Sequence, residues 1–493
     1  PCSPAPARRP RAVHESSGRP VAALAAPLQA HPNHKLDLIE TSVAVDWVTD
    51  AFPIGNGYMG ALVLGGITHD KLRLSDATQA LGDLTIKTDH NPDKARTFIR
   101  RLDLQTGVVE VSYRHQVRHR REYFASYHDR VVVARYRAVR KGSIHVTLDT
   151  NGNEAQFDAT KKRLTFGKVV VDIRAKGKAV NVNSKEGEVT IAQADELTLV
   201  LASDAQEFHA AKHLDGLLSD DATAIHQRHL PDYQGLFHSM HLTLEGGSQS
   251  GLTTSHRLET YRLKPEQDPG FEELVFQYGR YLLISASREG SPLPVHRRGI
   301  WHYPQVGKVQ SDRSEAMLSE AYSGASWAQL QSCLKPSVTV TRPKPMPYAV
   351  FRDRLQTGLQ PNLLGQSQDV SVNLAIIGSV VARFATLDNG LLDLPELPTA
   401  WRDGSVVGVC LGSLELAYVW QGGQLLEGYL TSLEDGEVAV RPGLAIEVMR
   451  GSNTVAGVQV ESGVYRIPMK AGDTVLLRAL EGKIEYLAKS SIL

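Results

Sequence analysis

The chain of 493 residues has only three cysteines, Cys2, Cys333 and Cys410. That is too few for a disulfide framework, and none has the Cys-x-x-Cys spacing of a zinc or redox site. Long apolar runs are missing as well. The longest, near Leu374–Ala382, is interrupted by Gly378 and Ser379 and stops at Arg383, about half the length that spans a bilayer. Neither sign of charge is in excess: Lys+Arg and Asp+Glu each number 54, so no overall field favours nucleic acid or an anionic membrane. No repeat of 20–50 residues, no Gly-x-Ser-x-Gly nucleophile turn and no phosphate-cradling loop is present. No cofactor and no metal is therefore expected. What is present, 42% hydrophobic and 22% charged residues, is the composition of a globular chain long enough for several domains with real cores.

The first 35 residues stand apart. Arg8, Arg9, Arg11 and Arg19 face a single acid, Glu15, among many Ala, Pro and Ser. Such a stretch suits an organellar (mitochondrial or plastid) transit segment, the region behind a secretory signal, or a disordered extension. All three readings stay open.

From 36 to 245 short alternating runs lie between turn residues, among them Val109–Tyr113, Arg121–Ala125, Val131–Tyr136, Val169–Ile173 and Leu197–Leu201. Period-2 runs at this spacing predict a large antiparallel β-sandwich. The pattern changes in 246–390. Asp268-Pro269 starts a turn or helix cap, and Phe271–Ser285 reads as a buried helix with Leu274, Tyr278, Tyr281 and Leu282 at helical spacing. Ser311–Cys333, Tyr348–Leu359 and Val372–Phe384 read as further helices, and Pro336–Pro347 as a breaker. From 391 to 493 alternation returns and predicts a second, smaller β domain.

Several blocks carry a resemblance. Phe52-Pro-Ile-Gly-Asn-Gly-Tyr-Met-Gly60, Leu81-Gly-Asp-Leu84, Arg120–Ser126, His229–Phe237, Asp268–Ile284, Leu293–Trp301 and Leu394–Trp401 with Gly404, Val406 and Gly408 occur in order. They resemble the ordered motifs of glycoside hydrolase family 95, the α-L-fucosidases and α-L-galactosidases. The resemblance implies an N-terminal β-supersandwich, an (α/α)6 barrel and a C-terminal β-sandwich. It also implies inverting hydrolysis, in which a Glu acid protonates the leaving oxygen and an Asp, with two asparagines, activates water. Twelve helices need roughly 200–250 residues, and 246–390 offers about 145, so only a truncated barrel-like helical module is expected here.

The functional positions depart from that pattern. By the resemblance, Ser314 stands where the family has histidine, Ala316 and Leu318 where it has the two asparagines, and Ser371 where it has the base. Asp369, two residues away, is the surviving carboxylate that an insertion would bring into play. The segment of the general acid is absent between Pro336 and Tyr348, and His296-Arg297-Arg298 replaces the small amide and apolar residues of the sugar pocket. Other ionisable groups read as ordinary: Glu272-Glu273 as acids at a helix start, Glu315 and Glu320 as off-face neighbours, His226-x-x-His229 as a pair without a third ligand. Arg114–Arg121 reads as the solvated face of a hairpin, with RNA or phosphate contact as the alternative. The expectation is a catalytically inactive fucosidase-like protein serving as a structural or accessory subunit alongside other protein subunits. An active hydrolase using non-standard residues and a noncatalytic carbohydrate-binding protein remain as alternatives.

Overall fold

The computed structural model describes residues 36–480 except 179, 186, 205–207, 247–250, 292–299, 302–379, 381–382 and 395–396. The N-terminal region is two large sheets. One has nine strands and runs from Asp37–Glu40 at one edge, through the meander Arg96–Asp103, Val108–His115, Val117–Ser126 and Val131–Ala138, then Glu196–Ser203, to Ala155–Asp158 at the other edge. The other has seven strands, with Phe52–Gly55, Met59–Val63, His69–Asp76, Ala80–Lys87 and Ile144–Asp149 adjacent in order. All their pairings are antiparallel. The inward positions, such as Val109, Val111, Leu72, Leu74, Leu84 and Ile86, are buried, as strict alternation requires.

Two helices lie within the stretch read from sequence as strands: α1 (Ala210–Gly216) and α2 (Ala222–Phe237). Asp221 caps α2 by accepting from the Thr223 and Ala224 N–H groups, satisfying donors that a helix start leaves free. Ala210, Leu214, Ala222 and Ile225 from these helices pack on Phe124, Val131, Val133, Val170 and Val200 of the nine-stranded sheet. These helices cover that part of the sheet's outer face.

Two more helices follow, α3 (Thr254–Leu263) and α4 (Pro269–Ala286). Helix α4 matches the buried helix expected at Phe271–Ser285, and every one of its residues is buried. Asp268 makes no side-chain cap to it. Its carboxylate instead accepts two bonds of 3.0 Å from the Arg257 guanidinium, a buried pair that locks α3 to the start of α4. A truncated module cannot cover Phe276, Tyr281, Ile284, Ile376, Ile377, Val380 and Val381 with a full helical ring, so the expectation is that either the sheets fold over them or another chain does. Phe276, Tyr281, Ile284 and Val380 are buried within this chain; helix α4 packs on α2, α3 and the strands Phe52–Gly55 and His241–Leu244. Ile376, Ile377 and Val381 lie outside the described residues, as do most positions of the other three helices expected in the middle region.

The C-terminal region is a seven-stranded sheet with Gly404–Leu411, Leu414–Gln421, Gln424–Ser432 and Thr474–Ala479 adjacent, beside a five-stranded sheet containing Gly436–Arg441 and Val464–Met469. Its first strand comes from far upstream. His241–Leu244, counted with the N-terminal sandwich in the sequence reading, pairs antiparallel with Gly404–Val407. Among the described residues no helix is long and apolar enough to cross a membrane.

Candidate functional site

The positions that the resemblance assigns to catalysis, Ser314, Ala316, Leu318 and Ser371, lie outside the described residues together with Asp369, Glu315, Glu320 and His296–Arg298. The retained blocks around them are described, and their geometry shows what each does.

The turn at Phe52–Gly60 is a joint. Asn56 holds it from both ends: its Oδ1 accepts from the Tyr58 and Met59 N–H groups at 3.0 and 2.8 Å, and its Nδ2 donates to Ser126 O at 2.9 Å. The Tyr281 hydroxyl on α4 donates to Pro53 O at 2.6 Å, and the Trp301 indole donates to Ile54 O at 2.9 Å. The Ser75 hydroxyl donates to Ile300 O at 2.6 Å. A Cβ on Gly55 would stand 2.6 Å from Ser285 O, and one on Gly60 would stand 2.8 Å from the Ile300 side chain. The glycines are there because α4 and Ile300-Trp301 press directly on the turn.

Beside the turn, four side chains form one pile. Tyr58 and Tyr127 are parallel at 5.9 Å, with the Arg130 guanidinium 4.2 Å from the Tyr58 ring and that of Arg288 4.1 Å from Tyr127. Their hydroxyls donate to Gly290 O and Glu289 O, and Arg288 is also held by Asp232 at 2.6 Å. Each ring is thus engaged by a cation as well as by the other ring.

The carboxylates at the start of α4 are structural, as read from sequence. Glu272 accepts from the Tyr261 hydroxyl at 2.7 Å and the Trp401 indole at 2.6 Å, and Glu273 accepts from Leu244 N–H at 2.8 Å. Trp401 belongs to the block that opens the C-terminal region, so Glu272 ties that region to the helices. His229 makes a 2.8 Å hydrogen bond through Nε2 with Thr106 O, and burial pushes its pKa down to about 4. Among the described residues no group of three His, Cys, Asp or Glu is arranged to hold a metal ion.

The basic stretch Arg114–Arg121 does form a hairpin, with Gln116 in its turn at φ 57°. The reading of it as a solvated face needs correction. Arg114 and Arg118 are exposed, but Arg121 is buried: it donates to Gly66 O, Ile67 O and the Tyr113 hydroxyl and lies 3.4 Å from Asp70. Tyr123 and Tyr136 donate to the same Asp70 carboxylate. Burial, and then the Asp70 charge, pushes both phenols well above their ordinary pKa. Arg120 faces outward and is engaged by Glu110 at 2.8 Å and Glu122 at 3.1 Å. The signal for Arg121 was in the register. Positions 119, 121 and 123 share the inward face of their strand, and a charge there requires a buried partner.

Comparison with known proteins gives three matches to family models: the glycosyl hydrolase family 65 N-terminal domain over residues 75–210, the glycosyl hydrolase family 95 catalytic domain over 221–342, and the glycoside hydrolase family 95 C-terminal domain over 388–477. Alpha-L-fucosidase 2 of Arabidopsis thaliana is 27% identical over 361 residues, a match covering 52% of this chain and 42% of that protein. A probable alpha-fucosidase A of Aspergillus niger is 41% identical over 80 residues, 16% of this chain and 10% of the relative. The chain thus spans less than half the length of the curated relatives it matches. Among solved structures, a putative kojibiose phosphorylase from human microbiome aligns with a TM-score of 0.42 at 9% identity, covering 90% of this chain and 98% of that one. The family models for the catalytic and C-terminal domains, with the fucosidase relatives, support the assignment of this chain to glycoside hydrolase family 95.

Proposed function

We propose that this chain is a family 95 protein that does not hydrolyse α-L-fucosides or α-L-galactosides and acts as a structural or accessory subunit of a larger assembly. One observation carries the reading: the positions matched to the family's histidine, asparagines and base hold Ser314, Ala316, Leu318 and Ser371. A serine hydroxyl and two aliphatic side chains do not orient a water as amides do. Each acid, base or orienting group supplies roughly 10²–10⁴ in rate, so the combined loss removes measurable turnover. The blocks that remain, around Asn56, Tyr281, Trp301 and Glu272, are the ones that pack the regions together.

The match to the Arabidopsis relative points the same way. It runs over 361 positions but uses only 52% of this chain, about 256 residues. The remaining positions of that match face no residue here, which is what a missing stretch of the helical barrel would produce. An incomplete helical ring is the reason to expect partner subunits. Phe276, Tyr281 and Ile284 are buried within this chain, so the expected contact is not assigned to α4.

The purified chain, assayed against aryl α-L-fucosides and α-L-galactosides, should show no turnover above background. Turnover that disappears in Asp369→Asn would overturn the proposal in favour of an active hydrolase. A saturable, stoichiometric calorimetric isotherm with fucosylated oligosaccharides in the absence of turnover would favour a carbohydrate-binding protein instead.

A further inference from the structure

Four histidines from different elements meet at one end of the N-terminal sandwich. His90 follows the strand Ala80–Lys87, His115 and His119 flank the hairpin turn at Gln116, and His145 lies on the strand Ile144–Asp149. The His90 ring is 4.6 Å from that of His115 and 4.3 Å from that of His119, centre to centre, and His119 stacks on Tyr113 at 5.3 Å. His90 and His119 are buried, 8% and 6% exposed. A cleft at this end is lined by His90, His119 and His145 together with Tyr113, Arg121 and Ser143.

The hydrogen bonds around His90 suit a neutral ring. Arg121 donates to the Tyr113 hydroxyl at 2.7 Å, and that hydroxyl is 2.8 Å from His90 Nδ1. A neutral His90 with its proton on Nε2 leaves the Nδ1 lone pair to accept the phenolic proton while the same oxygen accepts from Arg121. A second proton on His90 would sit at Nδ1, where Tyr113 already donates, and would place a cation near Arg121. The other groups facing the cluster do little to offset it. Asp89 is 3.8 Å from His90 Nε2 but 80% exposed, and His115, His145, Arg120 and Arg137 are further basic groups around the cleft. We propose that this histidine cluster is an acid-sensitive latch, which holds the hairpin Val108–Ser126 to the end of the facing sheet when neutral and releases it when protonated.

The direction of the effect follows from linkage. Burial, with His115 and Arg121 as the next causes, pushes His90 down to about 4, and burial with His90 and Arg121 pushes His119 down to about 3. An opened cluster would titrate near the ordinary 6.5. Above that value the closed and open forms hold equal protons and the latch is at full strength. As pH falls from 6.5 toward 4 the open form takes up protons that the closed form refuses, and the latch weakens by about tenfold per pH unit for each histidine so linked.

Hydrogen exchange on the full chain, corrected for intrinsic rates, tests this between pH 7 and pH 5. Amide protection in 111–121 should fall with pH at that slope while the histidine-free strand Val464–Met469 stays level. In His90→Gln the side-chain oxygen still accepts from Tyr113 but does not titrate, so the slope at 111–121 should drop by one proton. His119→Asn gives the same readout should His90→Gln fail to fold. Level protection at 111–121 in the unmodified chain, an equal fall at Val464–Met469, or an unchanged slope in a folded variant would each overturn the proposal.

Discussion

Asn56 shows how one amide can hold a motif together. Replacing it with alanine leaves the N–H groups of Tyr58 and Met59 without their acceptor and Ser126 O without its donor in a buried turn. The expected cost is about 1–3 kcal/mol for the groups left unpaired. Asn56→Asp keeps the acceptor side but sets a carboxylate oxygen against the Ser126 and Val131 carbonyls, so at neutral pH it should cost more than Asn56→Ala. Urea titrations of both variants check the order; equal midpoints for Asn56→Ala and the unmodified chain would show that water replaces the side chain. Gly60 makes a separate prediction. Its missing Cβ is space taken by Ile300, so Gly60→Ala should cost about 1–3 kcal/mol as overpacking, and pairing it with Ile300→Val should recover part of that loss. The recovery separates crowding from a backbone effect, because only crowding is relieved by trimming the neighbour.

The outer face of the nine-stranded sheet carries a continuous ladder of charges. It runs from Asp37 through Arg101, Glu110, Arg120 and Glu122 to Arg137 and Arg135, then to Glu196, Lys176 and Asp221, with each successive acid–base link at 3.8 Å or less. Opposite charges on neighbouring strands are the sheet counterpart of helical side-chain pairs. Glu122 is the node, shared by three arginines. Glu122→Gln should therefore cost more than the ~0–1 kcal/mol of an isolated surface pair, because it leaves those arginines facing one another. The penalty should shrink at about 1 M salt, where the screening length is near 3 Å; a penalty independent of salt would assign it to packing. Much at this scale was legible in the sequence. Alternation announced the strands around Val109–Tyr113 and Val131–Tyr136, and apolar residues at helical spacing announced α4. Helices α1 and α2 were missed because their apolar residues, Ala210, Leu214, Ala222 and Ile225, are few and sit among many polar ones, so the surrounding strands set the reading. The ladder was not legible, because a charge in a sequence does not name its neighbour on the next strand. Of the candidate site, the retained blocks could be read for what they pack, whereas Ser314, Ala316, Leu318, Ser371 and Asp369 lie outside the described residues.

Across the whole molecule, the sandwich, α3, α4, the end of α2 and the C-terminal sheets share one contiguous apolar core, with a smaller cluster under α1 and the start of α2. Trp401 donates to Glu272 at 2.6 Å, and its carbonyl accepts from the Trp420 indole at 2.9 Å, while Leu244 of the same C-terminal sheet donates its N–H to Glu273, so the C-terminal region is joined to the start of α4 at both acids. The chain should accordingly melt in a single calorimetric transition, which Trp401→Phe should lower while keeping it single. Two resolved transitions in the unmodified chain would show that the regions are independent. The strand His241–Leu244 has a consequence for the order in which the molecule is made. Its partner Gly404–Val407 leaves the ribosome roughly 160 residues later, which at ~5–20 residues per second is on the order of ten to thirty seconds. Throughout that interval the N-terminal sandwich has all its own strands, while this short segment waits with its pairing edge unfilled. Nascent chains stalled before residue 404 should therefore recruit holdase chaperones at His241–Leu244, and release them once Gly404–Val407 has emerged.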